Sequence, residues 1–285
     1  MNLRIAKISK NNISYNLIIY FFLLWNAIKL FLINTDPIIQ ILNFVLSIGI
    51  YFCIEDIKLE IKNKKRFGFF LGLISLSLII IRSFLLNSVE DKYYYLNLPF
   101  GIFALIIILK PLNQLFEFRN IILISFLLPL RKLFYIVFIN FFVPLTRYLT
   151  WFVLYIIGKN PVFYNKSSLL IDDIEIKISN GCAGVDNLYF VLSIGIIYML
   201  IFRLKDKFNI FLFSIFSFLI SITVNIFRNT LIAIVVSSNN LHKDYIYHFL
   251  HDSYGSLIFS FISVSIISFF YFKLLNKELS IKDKI

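Results

Sequence analysis

The chain has 285 residues, of which 59% are hydrophobic, 18% aromatic and only 15% charged, against roughly 25% charged in an ordinary soluble domain. Its net charge of +12 comes from Lys and Arg scattered between apolar runs, which is the pattern of cytoplasmic membrane loops and not of a basic nucleic-acid-binding face. Two cysteines, Cys53 and Cys182, are too few for a disulfide framework, and no His/Cys spacing fits a metal site.

Residues 1–15 are polar, with Arg4, Lys7 and Lys10 and no acid. The apolar run Leu17–Ile33 is too long for a signal-peptide core and is followed by Asn34-Thr35-Asp36-Pro37, not by a small-residue cleavage site. It is therefore expected to be a retained first span. The runs Pro37–Ile54, Phe67–Leu86 and Leu96–Leu109 are read as the next three. A longer stretch, Ile121–Ile157, is interrupted by Pro129, Arg131, Lys132, Pro144 and Arg147. Its length allows one span plus an interfacial helix, with the chain leaving the bilayer core near Pro144–Arg147.

After residue 160 the periodicity changes. Ile174-Glu175-Ile176-Lys177-Ile178-Ser179 alternates with period two, as a half-buried strand does. Pro161-Val162-Phe163-Tyr164, followed by the turn-forming Asn165-Lys166-Ser167-Ser168, supplies a partner, so a small β-hairpin is expected within 161–181. Three more spans follow: Val185–Phe202, Phe208–Phe227 and Ser256–Phe272. The short apolar stretch Thr230–Val236 either extends the seventh helix or lies along the interface. The fold class is an all-α polytopic membrane protein of about eight transmembrane helices with one small hairpin, forming a single integral membrane domain over residues 1–285 with no internal repeat.

Charge sets the orientation. With the N-terminus inside, the even-numbered loops hold Lys58, Lys62, Lys64, Lys65 and Arg66, then Lys110 and Arg119, then Arg203, Lys205 and Lys207; the C-terminal tail holds Lys273, Lys277, Lys282 and Lys284. The odd loops are poorer in basic residues: Asn34–Asp36 has none, and Lys92 is offset by Glu90 and Asp91. The positive-inside rule then places both termini in the cytoplasm and the hairpin outside. Cys182, Arg228 and His251 all fall on the outer face, with Cys53 on the opposite side.

Each of these three residues has a plain structural reading. A free cysteine is ordinarily a small buried hydrophobe. Cys182, however, lies just ahead of a helix expected to start near Val185, where the helix dipole and free N–H groups favour a thiolate. Gly181 and Gly184 flank it and permit close backbone approach. An arginine at a span end can simply snorkel, yet apolar residues continue from Leu231 to Val236 beyond Arg228, and Asn225 shares its helix face. His242, His248 and His251 sit among Tyr245, Tyr247, Phe249 and Tyr254, which together could be an interfacial belt. Only His251 has Gly255 and Phe259 at four-residue intervals after it; whether His248 could take its place is open at this level.

Taken together, the segments resemble the exosortase/archaeosortase family. The resemblance rests on Cys182-Ala183-Gly184-Val185 opening one span, Asn225-Ile226-Phe227-Arg228 towards the end of the next, and His251-x-x-x-Gly255-x-x-x-Phe259 at the last. Upstream, Pro129, Pro144-Leu145-Thr146, Gly158 and Pro161-Val162 also look like that family. The match is densest over a catalytic core at 120–275. Ala183 departs from it, since many members have serine there.

The resemblance implies a membrane-embedded cysteine transpeptidase in the plasma (inner) membrane. Its substrates would be exported proteins with a C-terminal motif, a transmembrane helix and a basic tail, passed to an envelope acceptor such as a lipid or glycan. Cys182 would be the nucleophile, Arg228 the stabiliser of the oxyanion or thiolate and His251 the acid and base, with Gly184, Asn225 and Gly255 in support. That chemistry calls for a soft nucleophile, a fixed cation and a base titrating near neutrality, and for no cofactor. The alternatives are a transporter or flippase, or a non-enzymatic assembly subunit. Ion-coupled carriers usually place acids within spans; here the intraspan charges are Lys29 and Arg82, and no Asp or Glu lies in the middle of a span.

Overall fold

The structure, a computed structural model, describes residues 10–32, 36–55, 66–85, 94–110, 112–165, 167–178, 180–238 and 242–282. The loop residues Lys58, Lys62, Lys64, Lys65, Glu90, Asp91 and Lys92, the turn residue Lys166 and the terminal Arg4, Lys7 and Lys284 lie outside these. Among the described residues, six helices are long and apolar enough to cross a membrane: Pro37–Ile54, Gly68–Leu85, Gln114–Ile156, Asn180–Ile201, Lys207–Val236 and Tyr254–Ser280. Two shorter apolar helices, Leu17–Leu32 and Tyr94–Leu109, accompany them, in line with the expected architecture.

The chain forms two compact units, residues 1–129 and 130–285. The first holds α1 (Lys10–Leu32), α2 (Pro37–Glu55), α3 (Arg66–Leu85), α4 (Asn97–Leu109) and the beginning of α5 (Arg119–Ile156). α1 packs on α2 and α4, and α3 on α4. A buried amide pair, Asn26 Nδ2 donating to Asn43 Oδ1 at 3.1 Å, joins α1 to α2.

The second unit holds the rest of α5, a three-stranded sheet and four further helices: α6 (Val185–Ile201), α7 (Lys207–Val236), α8 (Lys243–His251) and α9 (Ser253–Lys282). α6, α7 and α9 pack mutually, and α8 lies against α7 and α9. Glu278 near the end of α9 accepts from the backbone N–H of Lys205 and Asp206 and from Asn209 Nδ2, tying it to the start of α7.

Two elements differ from the sequence expectation, α5 and the hairpin, and a third, α7, takes one of the two courses the sequence left open. α5 is one continuous helix of 38 residues rather than a span and an interfacial helix. Proline is tolerated inside apolar helices where neighbouring groups re-satisfy the backbone. The charge on Arg131 needs no exit to water, because its guanidinium pairs with Asp186 at 2.9 Å. α7 likewise runs past Arg228 to Val236, so Thr230–Val236 extends the helix.

The hairpin is a three-stranded antiparallel sheet, β1 (Val162–Asn165), β2 (Ser168–Ile171) and β3 (Ile174–Lys177), in the order β1-β2-β3. β2 hides from periodicity because Leu169-Leu170-Ile171 is uniformly apolar. Its turn into β3 uses Asp172 (φ 49°) and Asp173 (φ 63°), left-handed like the two central residues of a primed hairpin turn, in place of the more recognisable Asn-Gly. Leu169, Ile171, Ile176 and Ile178 point inward and pack on Leu154 of α5 and Ala233 of α7. Trp151 Nε1 donates to Pro161 O at 2.7 Å, and Arg147 donates to Asn165 O, fastening the sheet to the end of α5.

Candidate active site

Cys182 ends a short 3-10 turn, Asn180–Cys182, between β3 and α6. Its side chain belongs to the apolar cluster beneath the sheet and is 3% exposed. The backbone around it is pinned from two helices. Asn225 and Asn229, one turn apart on α7, both donate through Nδ2 to the Cys182 carbonyl, at 3.0 and 2.8 Å. Thr146 of α5 donates to the Ala183 carbonyl at 2.9 Å. Gly184, the residue before α6, has φ +80°, and a Cβ there would meet Asn225 Nδ2 at 2.3 Å. Glycine is thus required at 184 both by conformation and by the close approach of α7. This arrangement delivers the thiol to the N-terminal side of α6, where the helix dipole favours negative charge.

Arg228 lies inside α7 and is 2% exposed. Its Nε donates to Leu250 O at 2.8 Å, its Nη2 to His251 O at 2.8 Å and its Nη1 to Ser256 Oγ at 3.4 Å. The guanidinium therefore holds the last carbonyls of α8, groups that a helix end leaves without intrahelical partners. A cation suits that position because the C-terminal end of a helix carries the negative pole. The charge is also within Coulombic reach of Cys182.

His251 closes α8 and does not open the last span: the chain breaks at Asp252 and α9 starts at Ser253. The break is tight. A Cβ on Gly255 would lie 1.9 Å from Phe249 O, so only glycine lets α9 turn beneath α8. Because of this break, His251, Gly255 and Phe259 do not form one helical stripe, despite their spacing.

The imidazole of His251 hydrogen-bonds the Cys182 thiol. That bond is the largest influence on its titration and holds it above its ordinary value; partial burial opposes this, the negative charge of a Cys182 thiolate adds to it, Arg228 opposes it, and Asp252 adds to it. Asp252 Oδ1 is 3.7 Å from His251 Nδ1. Tyr247, one turn earlier on α8, stacks on the imidazole with ring centroids 5.0 Å apart. Its own hydroxyl titrates higher than usual, through burial first and then the charges of Cys182 and Asp252. The side chain of His248 is 68% exposed and contacts Asp252 and Tyr247; the histidine that meets the thiol is His251. A cavity of about 480 Å³ opens beside it, between β3, the end of α7 and α8.

Cys182, Arg228 and His251 thus meet at one place, with Gly184, Asn225 and Gly255 in the backbone around them. The sequence reading missed Asn229, Tyr247 and Asp252. Asn229 carried a usable signal, four residues after Asn225 on the same helix face. Tyr247 and Asp252 carried none, since they read as part of an aromatic, polar interfacial segment. Among the described residues, no group of three or more His, Cys, Asp or Glu is placed to hold a metal ion.

The model of the transmembrane exosortase family (EpsH) matches residues 33–268 of the 285. No curated protein and no solved structure matches the chain.

Proposed function

The chain belongs to the transmembrane exosortase family, and from that premise we propose that it is a cysteine transpeptidase acting on exported proteins that end in a recognition motif, a membrane helix and a basic tail. The observation that carries this reading is the hydrogen bond between Cys182 and His251, two groups brought together from distant segments of the chain. A thiol paired with an imidazole is the pattern of an activated nucleophile and its base.

In the proposed reaction the Cys182 thiolate adds to the scissile carbonyl, and the protonated His251 gives its proton to the departing amine as the C–N bond breaks. This leaves a thioester on Sγ and a neutral imidazole. The imidazole then takes a proton from the acceptor nucleophile, an amine or hydroxyl of an envelope lipid or glycan. That nucleophile adds to the thioester and expels the thiolate, and the starting protonation state is restored. Arg228 commits three of its five N–H donors to Leu250, His251 and Ser256. Its role is to fix α8 and so the imidazole of His251, and to place positive charge beside the thiolate and the developing oxyanion. The protein works in the plasma membrane with both termini cytoplasmic and the site facing outward.

The test is co-expression with a secreted reporter carrying such a tail from the same proteome. Wild type is expected to release the tail, and Cys182→Ala to release none, a loss of at least about a thousandfold for a removed nucleophile. Wild type should also accumulate a hydroxylamine-labile thioester on Cys182 when the acceptor is withheld. Tail release that survives Cys182→Ala would overturn the reading.

A further inference from the structure

Among the described residues the outer edge of β3 has no backbone partner, and that edge borders the cavity beside His251. The order β1-β2-β3 leaves β3 with a free side. In the antiparallel β2–β3 pair, Ile171 faces Ile174, Leu170 faces Glu175 and Leu169 faces Ile176, closing on the two-residue turn Asp172-Asp173. The pair flanking such a turn exchanges both of its hydrogen bonds, and bonded pairs then alternate with non-bonded ones. Ile174 and Ile176 therefore direct their N–H and C=O groups to β2. Ile178 continues the series, donating to Ser167 O at 2.7 Å.

Glu175 and Lys177 direct theirs the other way, and among the described residues those backbone groups have no partner. The cavity is lined by all four β3 residues, Ile174 to Lys177, together with Tyr247 and His251 of α8. A sheet face presents only alternate residues, so lining by consecutive ones means that the strand's edge borders the cavity. Folded proteins normally cover or blunt an open edge; here it faces the cavity that His251 lines.

We propose that the scissile segment of the substrate binds as a fourth strand on the free edge of β3, pairing its backbone with Glu175 and Lys177 and lying between β3 and α8. This rests on the transpeptidase reading. An extended peptide is the occupant that fits, because it offers a donor and an acceptor towards the edge at every second residue and needs no particular side chain to do so. β3 also leads to the nucleophile: two residues after Ile178 the chain enters the Asn180–Cys182 turn, and Ile178 and Cys182 share one apolar cluster. A segment aligned on β3 is thereby brought to the thiol. The four residues of β3 span about 13 Å, the length of a short recognition motif. The Glu175 carboxylate is held by Ser168 Oγ at 2.6 Å and Asn165 Nδ2 at 3.3 Å, so it does not occupy the edge.

The experiment uses full-length protein and the tailed reporter described above. A Lys177→Cys enzyme lacking Cys53 and Cys182 is paired with reporters whose single cysteine moves one residue at a time through the motif, and disulfide formation is scored in membranes. Strand addition is expected to give cross-links at every second reporter position, because alternate side chains share a face. Cross-links at every third or fourth position, or none, overturn it.

In the enzyme that keeps Cys182, Lys177→Pro removes an N–H that β2 does not use, at an edge where proline is tolerated. Tail release at limiting reporter is expected to fall about tenfold, and only about twofold for Lys177→Ala, which keeps the N–H. Equal losses in the two variants overturn the proposal. These outcomes are separable from failure of the transpeptidase reading. If wild type releases the tail but the cross-links do not alternate, strand addition alone is wrong; if wild type never releases the tail, both are wrong.

Discussion

His251 is held above its ordinary value near 6.5, first by its hydrogen bond to Cys182, against partial burial. The charged groups around it come from three elements: Cys182 ahead of α6, Arg228 of α7, and Asp252 after α8, with the Tyr247 ring stacked on one face. Because the folded value is raised, whatever stability the protonated form contributes is fully present below 6.5 and is lost as pH rises through the folded value. The same sign governs the reaction. In the proposed reaction the leaving amine takes the proton from His251, so the rate is expected to fall on the alkaline side as that proton is lost. Asp252 adds to the upward shift. In Asp252→Asn the alkaline limb of the pH–rate profile should therefore move to lower pH. A limb that stays in place or moves upward would show that Asp252 does not act on the imidazole.

At the scale of the element, α8 is a short helix that stands only because of its neighbours. Its C-terminal carbonyls are held by Arg228 from α7, and its exit into α9 depends on Gly255, where an added Cβ would meet backbone at 1.9 Å. Ordinarily Gly→Ala within a helix stabilises by about 0.5–1 kcal/mol. Here the close contact reverses the sign, and overpacking of this kind costs about 1–3 kcal/mol. Gly255→Ala is expected to lower the unfolding temperature in detergent and to depress tail release more than it depresses stability, since the displaced α8 carries His251. An unchanged or raised melting temperature would contradict the tight turn.

At the scale of the whole molecule, the proposed orientation rests on the distribution of basic residues. Arg203, Lys205 and Lys207 lie between α6 and α7, and Lys273 and Lys277 lie towards the end of α9. The sheet's turn instead carries Asp172 and Asp173. In a background without Cys53 and Cys182, Asp172→Cys, whose native side chain is 67% exposed, should react with an impermeant maleimide added to intact spheroplasts. Lys277→Cys should react only after permeabilisation. The reverse pattern would invert the topology and place the site on the cytoplasmic face.

The sequence by itself determined the apolar helices and the presence of strands before Cys182, and it offered Cys182, Arg228 and His251 as candidates for the site. The helices and strands are local properties: hydropathy over a span, alternation along a strand. Only the tertiary structure decided that Arg131 and Arg228 lie within continuous helices, because an interior charge is allowed by partners that come from elsewhere in the chain, Asp186 for one and the carbonyls of α8 for the other. It also decided the middle strand, whose uniformly apolar residues show no period, and it distinguished His251 from His248 by bringing one to the thiol and leaving the other exposed. Asn225 and Asn229 reach the Cys182 carbonyl across more than forty residues of chain. No pattern along a single strand or helix carries such a contact, because it arises where two elements pack.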